Sequence, residues 1–308
     1  MRALVATADP STPVALLTVP EPRPQTWEAL VQVQAVSLNR GECRRLLSAP
    51  SGWVPGWDVA GVVAEPAADG SGPPAGTRVV ALMAEGGWAE RAAVRTDRMA
   101  PLPDGLSETA AATLPVAGVT ALLCLARGGQ LLGKRVAVTG ATGGVGVFAL
   151  QLAALTGAHT TAVVSGPDRT AGLPERGVDD VEVGLDGDGE PFDLILESVG
   201  GPLLADALAR IAPGGRVVTY GNSSGQPTTM DISGFYPKLD AALVGFRIFE
   251  DLDVHGGADR HLGTLATLLE AGLLEVPIDV ERPWGEAAKV VRALLERRVT
   301  GKAVLTIG

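Results

Sequence analysis

Residues 138–158, VTGATGGVGVFALQLAALTGA, constrain the fold more than any other stretch of this 308-residue chain. Small and apolar residues run into a glycine cluster, and apolar residues then recur at helical spacing from Val145 to Leu155. Strand, tight turn and helix in that order let backbone N–H groups approach a pyrophosphate, and the helix N-terminus adds about half a positive charge there. The fit to G-x-G-x-x-G is inexact. One register uses Ala141, Gly143 and Gly146, with alanine in place of the first glycine, and a second uses Gly144, Gly146 and Ala149. A plain glycine-rich turn is the alternative, and the surrounding pattern decides against it.

Strands and helices alternate around this stretch. KRVAVT (134–139) reads as a strand, 145–156 as a helix and HTTAVVS (159–165) as a strand. After a short acidic, loop-rich passage come the strand FDLILES, the helix GPLLADALARI and the strand GRVVTYG. Such alternation implies parallel βαβ units. Residues 1 to about 105 are different, with short β-branched runs (RALVATA, ALVQVQAVSL, VAGVVAEP, GTRVVALM) between Pro- and Gly-rich turns. Ser107 is the expected N-cap of a helix over SETAAATLPVAGVTALLCLARGG, broken near Pro115. Near the C-terminus, LGTLATLLEAGLL and WGEAAKVVRALLERR read as helices and KAVLTI as a closing strand.

The nucleotide follows from the end of the second strand. An acid there would accept hydrogen bonds from the ribose 2′-hydroxyl of NAD, whereas a nearby Arg suits the 2′-phosphate of NADP. The strand ends VVSGPDR, so Ser165 takes the acid's place and Arg169 follows; Asp168 is the complication, since it could turn back to the ribose. NADPH is the expected cofactor.

Composition narrows the rest. A net charge of −10 argues against a nucleic-acid surface, which needs clustered basic residues. Two distant cysteines, Cys43 and Cys124, exclude a disulfide framework and fit a reducing cytoplasm. The opening residues carry no signal-peptide pattern, and the apolar run 109–126, rich in Ala and Thr, is too weak for a membrane helix.

The segments AVSLNRGE, VPGWDVAGVV, GTRVVAL, LPDGLSETAAATLPVAGVTA, VTGATGGVG, FDLILESVGG and GKAVLTI, in that order, resemble the medium-chain dehydrogenase/reductase superfamily, and in particular its zinc-free quinone oxidoreductase branch. The resemblance covers residues 1–308. It implies an α/β protein: a GroES-like β-barrel catalytic domain over 1–112, completed by about 255–308, and a Rossmann doubly wound parallel-sheet domain over 113–254. Nicotinamide and substrate would lie between them. Zinc members place a Cys at the position of Asn39 and Gly-His-Glu where this chain has Gly56–Trp57–Asp58, and many add a four-cysteine lobe. None of these is present. The residues agree independently, because two separated Cys and His159, His255 and His261 give no zinc spacing. No metal is expected.

Without a Lewis acid, a conjugated acceptor is the easier substrate. Hydride addition leaves a delocalised enolate or hydroquinone anion that hydrogen-bond donors can stabilise, and water or a side chain can supply the proton. The resemblance makes Asn39 a candidate donor near the nicotinamide, or else a strand-end turn residue. The family's Asn-x-x-Asp is Asn39–Arg40–Gly41–Glu42 here, one carbon longer at the acid, which favours a structural Glu42 over an acid/base one. A Tyr common in the branch is absent, and Trp53 and Trp57 are the aromatic residues of that segment, Trp57 a candidate for the catalytic site and Trp53 for the substrate pocket. Residues 178–191 are shortened, at the expense of a familiar helix.

The resemblance further places Thr120, Thr142, Gly143, Gly144 and Val145 on the cofactor, with Ser198–Val199 and Tyr220–Gly221–Asn222 at strand carboxyl ends. Phe246 and Phe249 would wall the substrate pocket or pack in a core or dimer interface. Lys302 would reach the cofactor phosphates or sit on the surface. The expected function is an NADPH-dependent reductase of quinones or α,β-unsaturated carbonyl compounds. Alternatives are an enoyl-thioester reductase, whose carrier a basic patch of Arg40, Arg44 and Arg45 would hold, and a nucleotide-binding protein without turnover. A cytoplasmic homodimer paired through residues 239–250 is expected.

Overall fold

The structure is a computed structural model that describes residues 1–7, 9, 11–186 and 188–308. The chain divides into two compact units, Met1–Val119 with Phe249–Gly308, and Thr120–Ile248.

In the second unit the alternating pattern produces one six-stranded sheet with every neighbouring pair parallel. Its spatial order is Asp180–Val183, His159–Val164, Arg135–Thr139, Phe192–Glu197, Ile211–Thr219, Ala242–Gly245. The chain starts at Arg135–Thr139, steps outward twice, then returns to lay Phe192–Glu197 on the other side of its first strand. The order therefore reverses between Arg135–Thr139 and Phe192–Glu197. Open α/β sheets bind ligands at the carboxyl ends of strands at such a switch point. The central strands are buried along their length, as parallel strands covered on both faces should be. Phe192, Ile195, Ala137 and Val217 are fully buried in the core beneath helix Gly201–Arg210.

The first unit holds a mainly antiparallel seven-stranded sheet. Its path runs Ile278–Pro283, Lys302–Thr306, Glu28–Leu38, Asp58–Glu65, Arg78–Leu82, Met99–Pro101, and Arg91–Arg95 also pairs with Glu28–Leu38. The long strand Glu28–Leu38 is thus the hub: Lys302–Thr306 and Asp58–Glu65 flank its carboxyl half. That arrangement brings residues 37–39, 58 and 302 together. Arg2–Ala6 and Val14–Thr18 form a separate hairpin.

The helix over 107–126 is two helices. Ser107 Oγ accepts from Ala110 N at 3.2 Å and caps Glu108–Ala111, and Pro115 opens Pro115–Ala126. Proline lacks the N–H and crowds the carbonyl four residues back, so it starts a helix rather than continuing one. The passage read as acidic loop contains an edge strand, Asp180–Val183. Its D-V-E-V alternation is short, and its acids serve as partners: Asp180 bonds His159 Nε2 at 2.7 Å, and Glu182 binds Arg210. Arg210, only 2% exposed, also donates to the carbonyls of Asp186 and Glu190 and lies over the Phe192 ring, which pins this passage to the sheet.

Candidate active site

The first unit gathers five polar side chains in one cluster. Asn39 ends strand Glu28–Leu38 and is the N-cap of helix Arg40–Leu46. Glu42, at the third position of that helix, accepts from the Asn39 backbone N–H at 2.8 Å, half of a capping box. Its other oxygen accepts from Trp57 N at 3.0 Å. The Asn39 amide donates to Glu42 Oε1 (3.2 Å) and Asp58 Oδ2 (2.8 Å), and its oxygen accepts from Lys302 Nζ at 2.9 Å. Lys302 also lies 3.2 Å from Asp58 Oδ2. Asp58 further accepts from Ser37 Oγ and, through Oδ1, from Val116 N, an orphan N–H of helix Pro115–Ala126. Glu42 and Asp58 are fully buried and Lys302 is 2% exposed. Buried charges survive only when paired and hydrogen-bonded, and this cluster meets both conditions. Burial, and then the Asp58 carboxylate, push the Glu42 carboxyl up to about 8, against the pull of the Asn39 donors and Lys302.

Two expectations change here. Lys302 does not sit on the surface: the first residue of strand Lys302–Thr306 points inward, where Asp58 and Asn39 supply oxygens to its ammonium. The Asn39 amide has both donors on carboxylates, so stabilising a substrate oxyanion would require it to give up one of them.

The aromatic candidates separate. Trp57 is half-buried and meets Phe249 edge to face, ring centres 5.2 Å apart. Phe246 belongs to the second unit, is 5% exposed and lies under the Arg127 guanidinium at 4.6 Å, so it is a packing residue there. Trp53 donates its indole N–H to Glu85 at 2.8 Å, and Arg45 lies over its ring and 3.6 Å from Glu85. Arg40 donates to the Leu294 carbonyl. All three arginines of the expected basic patch, Arg44 included, therefore have interactions within the chain.

In the second unit the glycine stretch folds as strand, turn and helix. Gly140 adopts φ 62°, a left-handed conformation that disfavours side chains, and lets the chain reverse at the switch point. A Cβ on Gly146 would lie 2.4 Å from the Gly140 oxygen, so only glycine lets the helix start this close to the turn. Helix Gly144–Leu155 has Gly143 at its N-cap and no side-chain cap, which leaves its first N–H groups for an anion. Opposite, Glu197 is fully buried at the end of its strand and accepts from Val199 N (2.6 Å) and Gly200 N (2.9 Å), folding Ser198–Gly200 beside the glycine turn. Burial, foremost, raises its pKa. Ser198 N donates to Thr139 Oγ1, and the backbone of Ser223 and Ser224 bonds Ser198 and Val199, so 198–200 and 220–224 form one layer at the strand ends. Tyr220 is pushed up by burial, and Asn222 caps its own turn through Gly225 N. Ser165 is exposed and Arg169 half-buried in the 3-10 turn Pro167–Arg169, while the Asp168 carboxylate folds over Gly166. Thr120 is buried in helix Pro115–Ala126, and Thr142 is half-exposed in the turn.

Sequence reasoning passed over Ser37, Thr139 and Glu197, and noted Asp58 only as a position where relatives hold zinc. The available signal was an acid inside an otherwise apolar strand, as in FDLILE.

Residues 25–104 match the family described as Alcohol dehydrogenase GroES-like domain, and 174–305 the family described as Zinc-binding dehydrogenase. The chain is 34% identical over 268 residues to the Spectinabilin polyketide synthase system protein NorB of Streptomyces orinoci, covering 82% of this chain and 12% of that protein. It is 38% identical over 160 residues to the Chloroplast envelope quinone oxidoreductase homolog of Arabidopsis thaliana, covering 47% of this chain and 49% of that one. The chain thus spans half or less of the length of either relative. The crystal structure of AibC superposes with a TM-score of 0.89 at 26% identity, covering 100% of this chain and 96% of that one. The zinc in the second family's description finds no fitting donor set. No group of three or more His, Cys, Asp or Glu among the described residues could hold a metal. Where the resemblance places ligands in zinc members, Asn39 and Trp57 offer an amide and an indole, and the Lys302 ammonium stands against Asp58. No helix among the described residues is long and apolar enough to cross a membrane.

Proposed function

This chain belongs to the medium-chain dehydrogenase/reductase superfamily, in its quinone oxidoreductase-like branch, and on that premise we propose that it is an NADPH-dependent, zinc-independent reductase of quinones or α,β-unsaturated carbonyl compounds. The observation that carries this reading is the uncapped, glycine-lined helix start at the switch point of a parallel sheet. The backbone N–H groups of Gly143, Gly144 and Val145 would hold the pyrophosphate, with Thr142 beside them. Ser165 and Arg169 would take the 2′-phosphate, and Ser198, Val199, Tyr220, Gly221, Asn222 and Thr120 would line the rest of the nucleotide site. Bound NADPH would supply the hydride. Met1–Val119 with Phe249–Gly308 would be the catalytic domain, and Thr120–Ile248 the nucleotide domain.

In the catalytic domain, Glu42 and Asp58 fix the Asn39 amide, and Lys302 balances their charge. Water, in this reading, delivers the proton after hydride addition, because Glu42 is enclosed by N–H donors rather than open to a substrate. The test is NADPH oxidation by purified protein against menadione, short enones and an enoyl-thioester. We expect turnover with a quinone or enone, at least about tenfold higher kcat/KM with NADPH than with NADH, and no loss of rate with a chelator. Equal use of NADH would assign the ribose to Asp168, and chelator-sensitive turnover would sink the zinc-free reading. Nucleotide binding with no turnover on any acceptor would favour a non-catalytic role.

A second reading, an enoyl-thioester reductase, is favoured by the similarity to a polyketide synthase protein. Turnover confined to the thioester would select it. For assembly, the edge strand Ala242–Gly245 exposes Leu243, and exposed Ile232, Tyr236 and Leu239 precede it, an apolar run suited to a second copy. We expect a homodimer by light scattering at micromolar concentration; a monomer mass would remove that proposal.

A further inference from the structure

Gly41 has no conformational reason to be glycine. It lies in the first turn of helix Arg40–Leu46 and is not among the positive-φ glycines. Glycine in a helix is destabilising by up to about 1 kcal/mol relative to alanine. The reason for it is the Trp57 ring. A Cβ on Gly41 would lie 2.7 Å from Trp57 Cη2 and 2.8 Å from Cζ3, well inside contact distance. The indole rests directly on the helix backbone.

Hydrogen bonding does not place that ring, because Trp57 Nε1 is buried without a partner. Such a group carries a desolvation penalty. The backbone of Trp57 is fixed instead by Glu42, and its ring by Gly41 beneath and by the Phe249 edge, in helix Ile248–His255. Two features unfavourable to stability, a helical glycine and an orphaned indole N–H, are kept to hold one aromatic ring in one place. Trp57 and Phe249 are both only half-buried.

We infer that Gly41, Trp57 and Phe249 form a seat for a flat ring, and that Gly41 is a specificity-determining residue which sets the height of that seat. The acceptor class is then a cyclic conjugated one, such as a quinone, rather than an extended acyl chain. Aromatic rings gain from offset and edge-to-face contact with another π-system, an advantage that an acyclic enal lacks. This inference rests on the reductase reading for its kinetic arm only.

The experiment compares wild type, Gly41→Ala and Trp57→Phe, with menadione and trans-2-hexenal as probes. Menadione quenching of tryptophan fluorescence, without nucleotide, reads seating independently of turnover. Quenching should saturate in wild type and fall largely away in Trp57→Phe. Gly41→Ala should weaken menadione binding and raise its KM about two- to tenfold. The hexenal KM, NADPH affinity and melting temperature should be unchanged, or the last raised by the better helix former. Equal shifts for both acceptors, or none in Gly41→Ala and Trp57→Phe, would overturn the seat. If Gly41→Ala does not fold, the Trp57→Phe titration decides. Saturable, Trp57-dependent quenching without turnover on any acceptor would uphold the seat and sink the reductase reading.

Discussion

Lys302→Met is expected to destabilise the protein by about 3–5 kcal/mol, because removing one partner leaves a buried carboxylate uncompensated. Lys302 is the cation of a cluster that holds Asp58 and Glu42 fully out of water, with Asn39 bridging them. The variant also changes the pH dependence. Glu42 has its folded pKa raised from 4.5 to about 8. A group raised in this way contributes stability that is fully present below its unfolded value and lost as pH rises through the folded one. Wild-type stability should therefore decline between about pH 4.5 and 8 through this group and level off above. Without the ammonium the carboxyl moves higher still, so the decline should continue past pH 8. Urea unfolding at pH 6, 8 and 9 measures both effects. A loss under about 1 kcal/mol, with an unchanged pH profile, would mean that Lys302 is not the counter-charge of this cluster.

Gly146→Val is expected to lower NADPH affinity by at least about a hundredfold, near 2.7 kcal/mol. Its Cβ would meet the Gly140 and Ala141 oxygens at 2.4 and 2.7 Å, and the chain cannot relieve that contact without backing the helix start away from the turn. The N–H groups would then no longer converge on one anion. Fluorescence titration checks the affinity, and circular dichroism separates loss of the cradle from loss of the fold. A folded variant with near-normal affinity would show that the pyrophosphate is held elsewhere.

The sequence was most legible where local chemistry and tertiary role coincide. The strand–glycine–helix stretch, the buried parallel strands and the Ser107 cap each follow from a short-range pattern that the structure keeps. Elements held by partners distant in sequence were not legible. Arg40–Leu46 is a short helix fixed by a capping box and by Trp57 lying on Gly41, and neither contact is visible in the periodicity of NRGECRRL. Asp180–Val183 looked like acidic loop because its charges are used by His159 and Arg210. In the site, Lys302 is legible as a candidate, but its burial against Asp58 and Asn39 is not. The strand Glu28–Leu38, the strand Asp58–Glu65 and the closing strand meet only in three dimensions, and the partner of a lysine 263 residues from Asn39 is not a local property. Glu197 was missed because the strand FDLILE carries two acids, and only the fold shows that Glu197, unlike Asp193, is fully buried.

The central claim is that this chain moves a hydride from NADPH to a conjugated acceptor. NADPH carrying deuterium at both C4 positions, incubated with the protein and cyclohex-2-enone, tests it most directly by mass spectrometry and NMR of the product. One deuterium is expected on the carbon β to the carbonyl and a solvent proton on the α carbon. Saturated product with only solvent hydrogen at both carbons, or no product from the enone and no NADPH oxidation with menadione, would contradict it.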